Sequence, residues 1–428
     1  MPPSTAPTKS QKADALRALS RTRAYATPLE DFQVANPLLF KADAHRPWFE
    51  RLRREAPVHY CKASPWGPYW SITRYDDIVA VDSNHAEFSS DSRLGGVTIP
   101  NGDAAFKLPN FICMDPPHHG AHRKTISPMF GSDHLASLEG TIRERVATIL
   151  DGLPIDTPFD WVAAVSTELT GQMLATLLGT PQADRAKLSR WSDVAVAVPV
   201  SGVATPAARQ AELLVCLDYF TTLWRQRGAA AAPEADLISM LAHGEATRDM
   251  SPQALLGTIV LLLIAGTDTT RNSITGGLYA LRKNPDQEAK LRANPELIPS
   301  MVSEIIRWQT PLAYMRRTAL RDVELGGQTI RKGDKVVMWY VSGNRDETVI
   351  PDPDAFIIDR DNPRRHLSFG FGIHRCLGSR LAEMQLRIVW EEILKRFPTI
   401  EVLDEPVRVH SVLVAGYQEM IVRIPRRL

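Results

Sequence analysis

A single cysteine, Cys376, follows a glycine-rich turn, Phe369-Gly370-Phe371-Gly372-Ile373-His374-Arg375, and precedes Leu377-Gly378 and an amphipathic helical pattern from Leu377 to Phe397. That setting suits a thiolate bound to a metal, because a helix N-terminus offers partial positive charge and free N–H groups to ionised sulfur. Gly370 and Gly372 accept backbone angles that other residues resist, so the turn can press close to a flat ligand. His374 and Arg375 place donor or cationic groups beside it.

The reading that fits these ten residues is a thiolate ligand for haem iron, and a second segment agrees with it. Ser251-Pro252 is a helix start and Asn284-Pro285 a stop, predicting a helix of about 33 residues, roughly 50 Å long. Its centre is apolar almost all round, so it should be buried. Inside it lies Ala265-Gly266-Thr267-Asp268-Thr269-Thr270. A buried carboxylate among hydroxyls is costly unless paired or hydrated. Small Ala265 and Gly266 leave room for a planar group or O2, and Thr side chains bonding one turn back loosen the helix. Asp268 and Thr269 are therefore the candidate catalytic pair, relaying protons.

Haem propionates need cations. His119 and Arg123, four apart after Asp115-Pro116-Pro117, together with Arg317 and His374, form a candidate anion clamp; His118 and His122 read as solvated neighbours. Glu304 and Arg307 lie three apart on one helix face and can meet. With Arg360 as a third member, they would lock the chain that leads to the cysteine turn. Arg364, Arg365, Arg375 and Arg380 are candidates for a basic patch behind the cysteine, suited to an acidic electron donor.

The elements that must position these groups are mostly helical. Residues 30–56 and about 135–310 carry helical patterns. A hairpin is expected from Val58–Cys61 and Tyr69–Thr73. Val323–Leu325, Thr329-Ile330, Val336–Tyr340 and a terminal segment from Val412 to Ile424 read as strands. The fold class is mainly α with a smaller β region (α+β). Residues 1–25 read as a mobile tail and 26–428 as one domain, since strands come from both ends. Charge is balanced, 50 basic against 49 acidic residues, which argues against a nucleic-acid binder. Four scattered cysteines without a Cys-x-x-Cys pair give neither a zinc site nor a disulfide framework. The N-terminus lacks a signal-peptide core, and the apolar run Leu255–Ala265 is too short to span a bilayer; a cytoplasmic protein is expected.

Taken together, these motifs resemble the cytochrome P-450 superfamily of haem-thiolate monooxygenases over nearly the whole chain. Phe369–Gly378 is similar to its cysteine signature, Ala265–Thr270 to its oxygen-activation motif, and Glu304-x-x-Arg307 to its Glu-x-x-Arg pair. The resemblance implies haem b between the long helix and the cysteine-loop helix. It implies Cys376 as the iron ligand, and Ala265, Phe369 and Gly378 as cofactor contacts. It also implies O2 as co-substrate and electrons from a ferredoxin and an NAD(P)H-dependent ferredoxin reductase, as in the soluble bacterial class. Pro57–Cys61, Phe88–Ser90, Gly95–Ile99 and Ile305–Pro311 resemble the bacterial alkane and fatty-acid terminal-hydroxylase family. A small apolar or amphipathic substrate is expected in a pocket of Val97, Ile99, Leu262, Leu312, Met315 and Leu413, with Asn101-Gly102-Asp103 and Lys107 near a head group. The alternatives are a terpene or steroid hydroxylase and a haem-thiolate sensor without turnover.

Overall fold

The long helix is the axis of the structure, a computed structural model that describes residues 9–100, 108–196, 203 and 205–428. It runs from Pro252 to Lys283, with the Ser251 hydroxyl accepting from the Ala254 N–H at its start. By length and hydropathy alone it would cross a bilayer, which the shorter Leu255–Ala265 run did not suggest. It is instead packed within the protein, with Leu256, Ile259, Leu263 and Ile274 at or below 1% exposure. Helices Glu168–Leu178, Arg185–Ala195, Pro206–Gly228, Ile298–Gln309 and Ser379–Arg396 all pack against it.

Short strands brace the helical body. In the five-stranded sheet, the hairpin of Val58–Cys61 and Tyr69–Ile72 continues through Lys335–Met338 and Met315–Ala319 to Phe88–Ser89. Tyr69–Ile72 and Lys335–Met338 run parallel; the other neighbours are antiparallel. A three-stranded sheet pairs Ile421–Arg423 with Phe159–Asp160 and Glu401–Val402. The terminal β segment is thus two short strands, Tyr417–Glu419 and Ile421–Arg423. Gly326 and Gly327, both at positive φ, turn the hairpin of Val323–Leu325 and Gln328–Ile330.

Two expectations change. The helical stretch over 30–56 is divided: Pro37 and Pro47 start separate helices, Pro37–Lys41 and Arg46–Glu55, with Asp43 at φ 50° between them. Only the second buries Phe49 and Leu52. Of the expected mobile tail, residues 1–25, all but the first eight belong to a helix, Lys9–Ala26, that docks on this region. The Ser20 hydroxyl donates to the Ala44 carbonyl at 2.6 Å and accepts from Trp48 Nε1 at 2.9 Å. Ala24 is fully buried. A polar surface hid the small packing face of this helix. Residues 1–8 lie outside the described residues.

Candidate functional site

The cysteine turn is shaped by its contact with another helix. Gly370 and Gly372 hold φ of 66° and 63°. A Cβ on Gly372 would stand 2.7 Å from the Asp82 carbonyl oxygen and 2.9 Å from Ser83 Cα. The close approach that these glycines permit is therefore to helix Tyr75–Ser83. The Cys376 N–H donates to the Phe369 carbonyl at 2.7 Å and closes the loop. Helix Ser379–Arg396 begins three residues later than Cys376, and the Gly378 N–H is directed at the sulfur.

This turn and the long helix enclose a cavity of about 1740 Å3, part of it continuous with solvent. Cys376 and Ala265 are accessible although both sit on internal elements, and both line this space. Burial pushes the Cys376 thiol up, opposed by the Gly378 N–H and by Arg123 and Arg375. A metal cation at the sulfur would reverse that preference and hold the thiolate.

The cavity also contains a cluster of unanswered donors. The His119 and His374 rings lie 4.1 Å apart. Neither nitrogen of His374 has a partner, nor does His119 Nε2. Burial, with Arg317 and Arg123 nearby, pushes the pKa of His374 far down; burial and Arg123 bring His119 down to about 4. Arg123 donates to the Arg375 carbonyl at 2.6 Å, and burial also lowers its pKa. Arg317 donates to Asp82 Oδ1 at 2.6 Å. Asp82 Oδ2 accepts from Tyr340 Oη at 2.9 Å and from the Phe371 N–H at 2.8 Å. Cations and imidazoles outnumber the one carboxylate here, so the site calls for an additional anion. A flat, dianionic, iron-bearing haem meets each requirement: a cation for the sulfur, carboxylates for the donors and a plane for the space beside Ala265.

On the long helix the acid and the alcohol part company. Thr269 lines the cavity, and its hydroxyl donates to the Ala265 carbonyl at 3.0 Å. Asp268 faces the other way, is almost fully buried and pairs with Arg271. Both terminal nitrogens of Arg271 also reach Asp193 Oδ1 at 3.0 Å. Asp268 Oδ2 has no partner. Burial raises the Asp268 carboxyl to about 6 against the pull of Arg271. The sequence placed both residues in the relay; the structure brings only Thr269 to the cavity wall, as the 100° step between successive helical residues requires. Gly266 makes room for Leu174 as well: a Cβ there would stand 2.9 Å from Leu174 Cδ1.

Glu304, Arg307 and Arg360 meet. Arg307 grips Glu304 through two bonds of 2.7 Å, and Arg360 Nε donates to Glu304 Oε2 at 3.0 Å. Arg307 also donates to the carbonyls of Asn344 and Pro353, both at 2.8 Å, and Arg360 to those of Asp352 and Ala355. The Ile357 N–H returns a bond to Glu304 Oε1 at 2.9 Å. One carboxylate thus fixes the loop between residues 351 and 360.

Of the expected pocket, Leu262, Leu312 and Met315 line the cavity, as do Phe369 and Gly378. Val97, Ile99 and Leu413 do not. Ile99 packs with Phe32, Tyr69 and Trp339, and Leu413 lies against the same cluster. The Val97 carbonyl accepts from the Arg316 N–H at 2.9 Å. Their apolar side chains serve the core instead. Asn101-Gly102-Asp103 and Lys107 lie outside the described residues. Sequence reasoning missed Asp82, Tyr340, Phe111, Phe130 and Leu237 at the cavity. No local pattern marks Asp82, whose partners are remote in sequence.

Comparison with known proteins gives a consistent result. The cytochrome P-450 family model matches residues 226–411. The chain is 35% identical over 410 residues to a linalool 8-monooxygenase of Pseudomonas putida, covering 93% of this chain and 100% of that protein. It is 31% identical over 394 residues to a methyl-branched lipid omega-hydroxylase of Mycobacterium bovis, covering 87% and 89%. Among solved structures, CYP153D17 from Sphingomonas sp. superposes with a TM-score of 0.86 at 44% identity, covering 93% of this chain and 100% of the other.

Proposed function

From the premise that the chain belongs to the cytochrome P-450 family and is a haem-dependent monooxygenase, we propose that it hydroxylates the end of an unbranched or lightly branched hydrocarbon chain. The observation that carries this reading is the polarity of the cavity. Its ionisable residues gather at the cysteine turn and the anion clamp, while Phe111, Leu177, Leu237, Leu261, Leu262 and Leu312 form an apolar wall. Among the described residues, the wall offers no cation to hold a substrate carboxylate. A methyl-ended chain fits, and an acid would keep its head group near the mouth. The lipid omega-hydroxylase among the relatives supports the terminal position. The linalool enzyme supports a terpene as the second reading.

When bound, haem supplies the activation of O2 and the insertion of one oxygen atom into a C–H bond. In this reading the chain does four things. Cys376 gives the thiolate, held by the Gly378 N–H. His119, Arg123, Arg317 and His374 hold the propionates. Thr269 passes a proton at its hydroxyl, and Asp268 supplies protons from behind after releasing Arg271. The apolar wall excludes water and leaves only the chain tip beside Ala265. Electrons arrive from a ferredoxin and its NAD(P)H-dependent reductase at the exposed Arg364, Arg365, Arg375 and Arg380, in the cytoplasm.

The test supplies ferredoxin, reductase and NADH with chains of graded length, each ending in methyl or carboxylate. Product oxygenated at the chain end, with methyl-ended chains preferred, is expected. Oxygenation only at inner carbons or only of cyclic terpenes overturns the reading, and no product from reduced, CO-binding protein favours a sensor.

A further inference from the structure

A second cavity, open to solvent and of about 1040 Å3 with that open space included, lies under the first helix, on the other side of the Gln309–Leu312 corner from the haem cavity. Arg17, Arg46, Lys283, Arg345 and Arg408 face it, against two lining carboxylates, Asp14 and Asp43. Asp14 is largely exposed and pairs with Arg17 at 2.9 Å. Asp43 is shared by three guanidiniums: Arg408 at 3.0 Å, Arg17 at 3.7 Å and Arg46 at 3.9 Å. Glu405 reaches Arg17 at 2.5 Å and Lys283 at 3.6 Å, and is divided likewise. Arg345 pairs with Asp354, which is 62% exposed and at 3.3 Å, and donates to the carbonyls of Pro353 at 3.0 Å and Trp308 at 3.2 Å.

The cations are held in fixed orientations. Arg46 and Arg345 lie over Trp308 at 4.8 and 4.2 Å, and Arg408 lies over Tyr417 at 4.9 Å. The buried Nε atoms of Arg17 and Arg46 and the Nδ1 of His45 have no hydrogen-bond partner, Asp43 standing 3.9 Å from Arg46 Nε. His45 is neutral, its pKa brought down to about 3 by burial, so it adds a hydrogen-bonding group without charge. Positive charge in excess, unused donors and ready space describe a receptor for oxygen anions, since guanidiniums in a rigid fork bind such groups with two bonds each.

We propose that this cavity binds a small oxyanion of two or more charges, of the phosphate or polycarboxylate class, independently of haem and substrate. Binding to the haem-loaded full chain is measured by titration calorimetry with pyrophosphate and with citrate, against sodium chloride at matched ionic strength. Saturable one-site binding of at least one probe is expected, and which probe binds identifies the source chemistry. Arg46→Gln, at a half-buried position with only a distant carboxylate, should weaken binding roughly tenfold or more, the loss expected for one charge-assisted bond. Arg408→Gln should do the same. Heats no different from sodium chloride, or affinity unchanged in folded Arg46→Gln, overturn the proposal.

Discussion

At the scale of single residues, the arrangement divides chemistry between the two sides of one helix. Thr269 faces the cavity and Asp268 faces Arg271 and Asp193, so a proton held at Asp268 must pass behind the helix backbone. Thr269→Ala is expected to uncouple NADH consumption from product by roughly tenfold or more, the scale of a lost proton-transfer group. Product formed per NADH as in the parent would remove Thr269 from the relay. Asp268 adds a pH signature. Its carboxyl is raised from 3.8 to about 6, so the folded protein favours the protonated form. The stability this confers is complete below 3.8 and is lost as pH rises from there through about 6. Asp268→Asn should therefore flatten the stability profile over that window, measured by urea unfolding at successive pH values. A profile identical to the parent would place the titration elsewhere. Cys376, Thr269, His119, Arg123, Arg317 and His374, the residues that the sequence singled out, do line one cavity. The outward turn of Asp268 was not legible in the sequence, because Arg271 is ordinary there and Asp193 is remote. Asp82 was hidden for the same reason: its partners Arg317, Tyr340 and Phe371 come from segments more than 230 residues away.

At the scale of elements, the position of Cys376 depends on two supports that make no contact with substrate. One is the glycine turn on helix Tyr75–Ser83. Gly372→Ala combines a positive φ with contact against backbone atoms and is expected to cost about 1–3 kcal/mol, read from the urea midpoint. A change within error would mean that the turn yields easily. The other is Glu304. Glu304→Gln leaves Arg307 and Arg360 facing a neutral partner in a buried site, and breaking such a pair costs about 3–5 kcal/mol. Unfolding of the haem-loaded protein should show that loss together with faster haem release. Stability equal to the parent would make the network dispensable. The long helix was legible from its cap, its Asn-Pro stop and its apolar centre. The split of residues 30–56 followed from prolines that hydrophobic spacing alone underweights. Val97, Ile99 and Leu413 were misplaced because an apolar side chain carries no mark that distinguishes a pocket wall from the core.

At the scale of the whole molecule, two cavities share one corner of the fold. Gln309 and Thr310 wall the cationic space, and Pro311 and Leu312 wall the apolar one. The apolar cavity sets what can reach the haem. Substrates with methyl ends should therefore displace water and shift the haem spin state at lower concentration than acids of equal length. Equal response to both ends would mean that a cation outside the described wall receives the carboxylate. The resemblance of motifs across the chain made the fold legible. The second cavity was invisible in the sequence, because Arg17, Arg46, Lys283, Arg345 and Arg408 come from distant segments that meet only in the fold.

Sulfur ligation by Cys376 is tested most directly by the absorption spectrum of the reduced protein under carbon monoxide, recorded for the parent and for Cys376→Ser. A thiolate-type spectrum in the parent that disappears in the variant, with haem still bound, is the predicted result. A thiolate-type spectrum retained in the variant would contradict it.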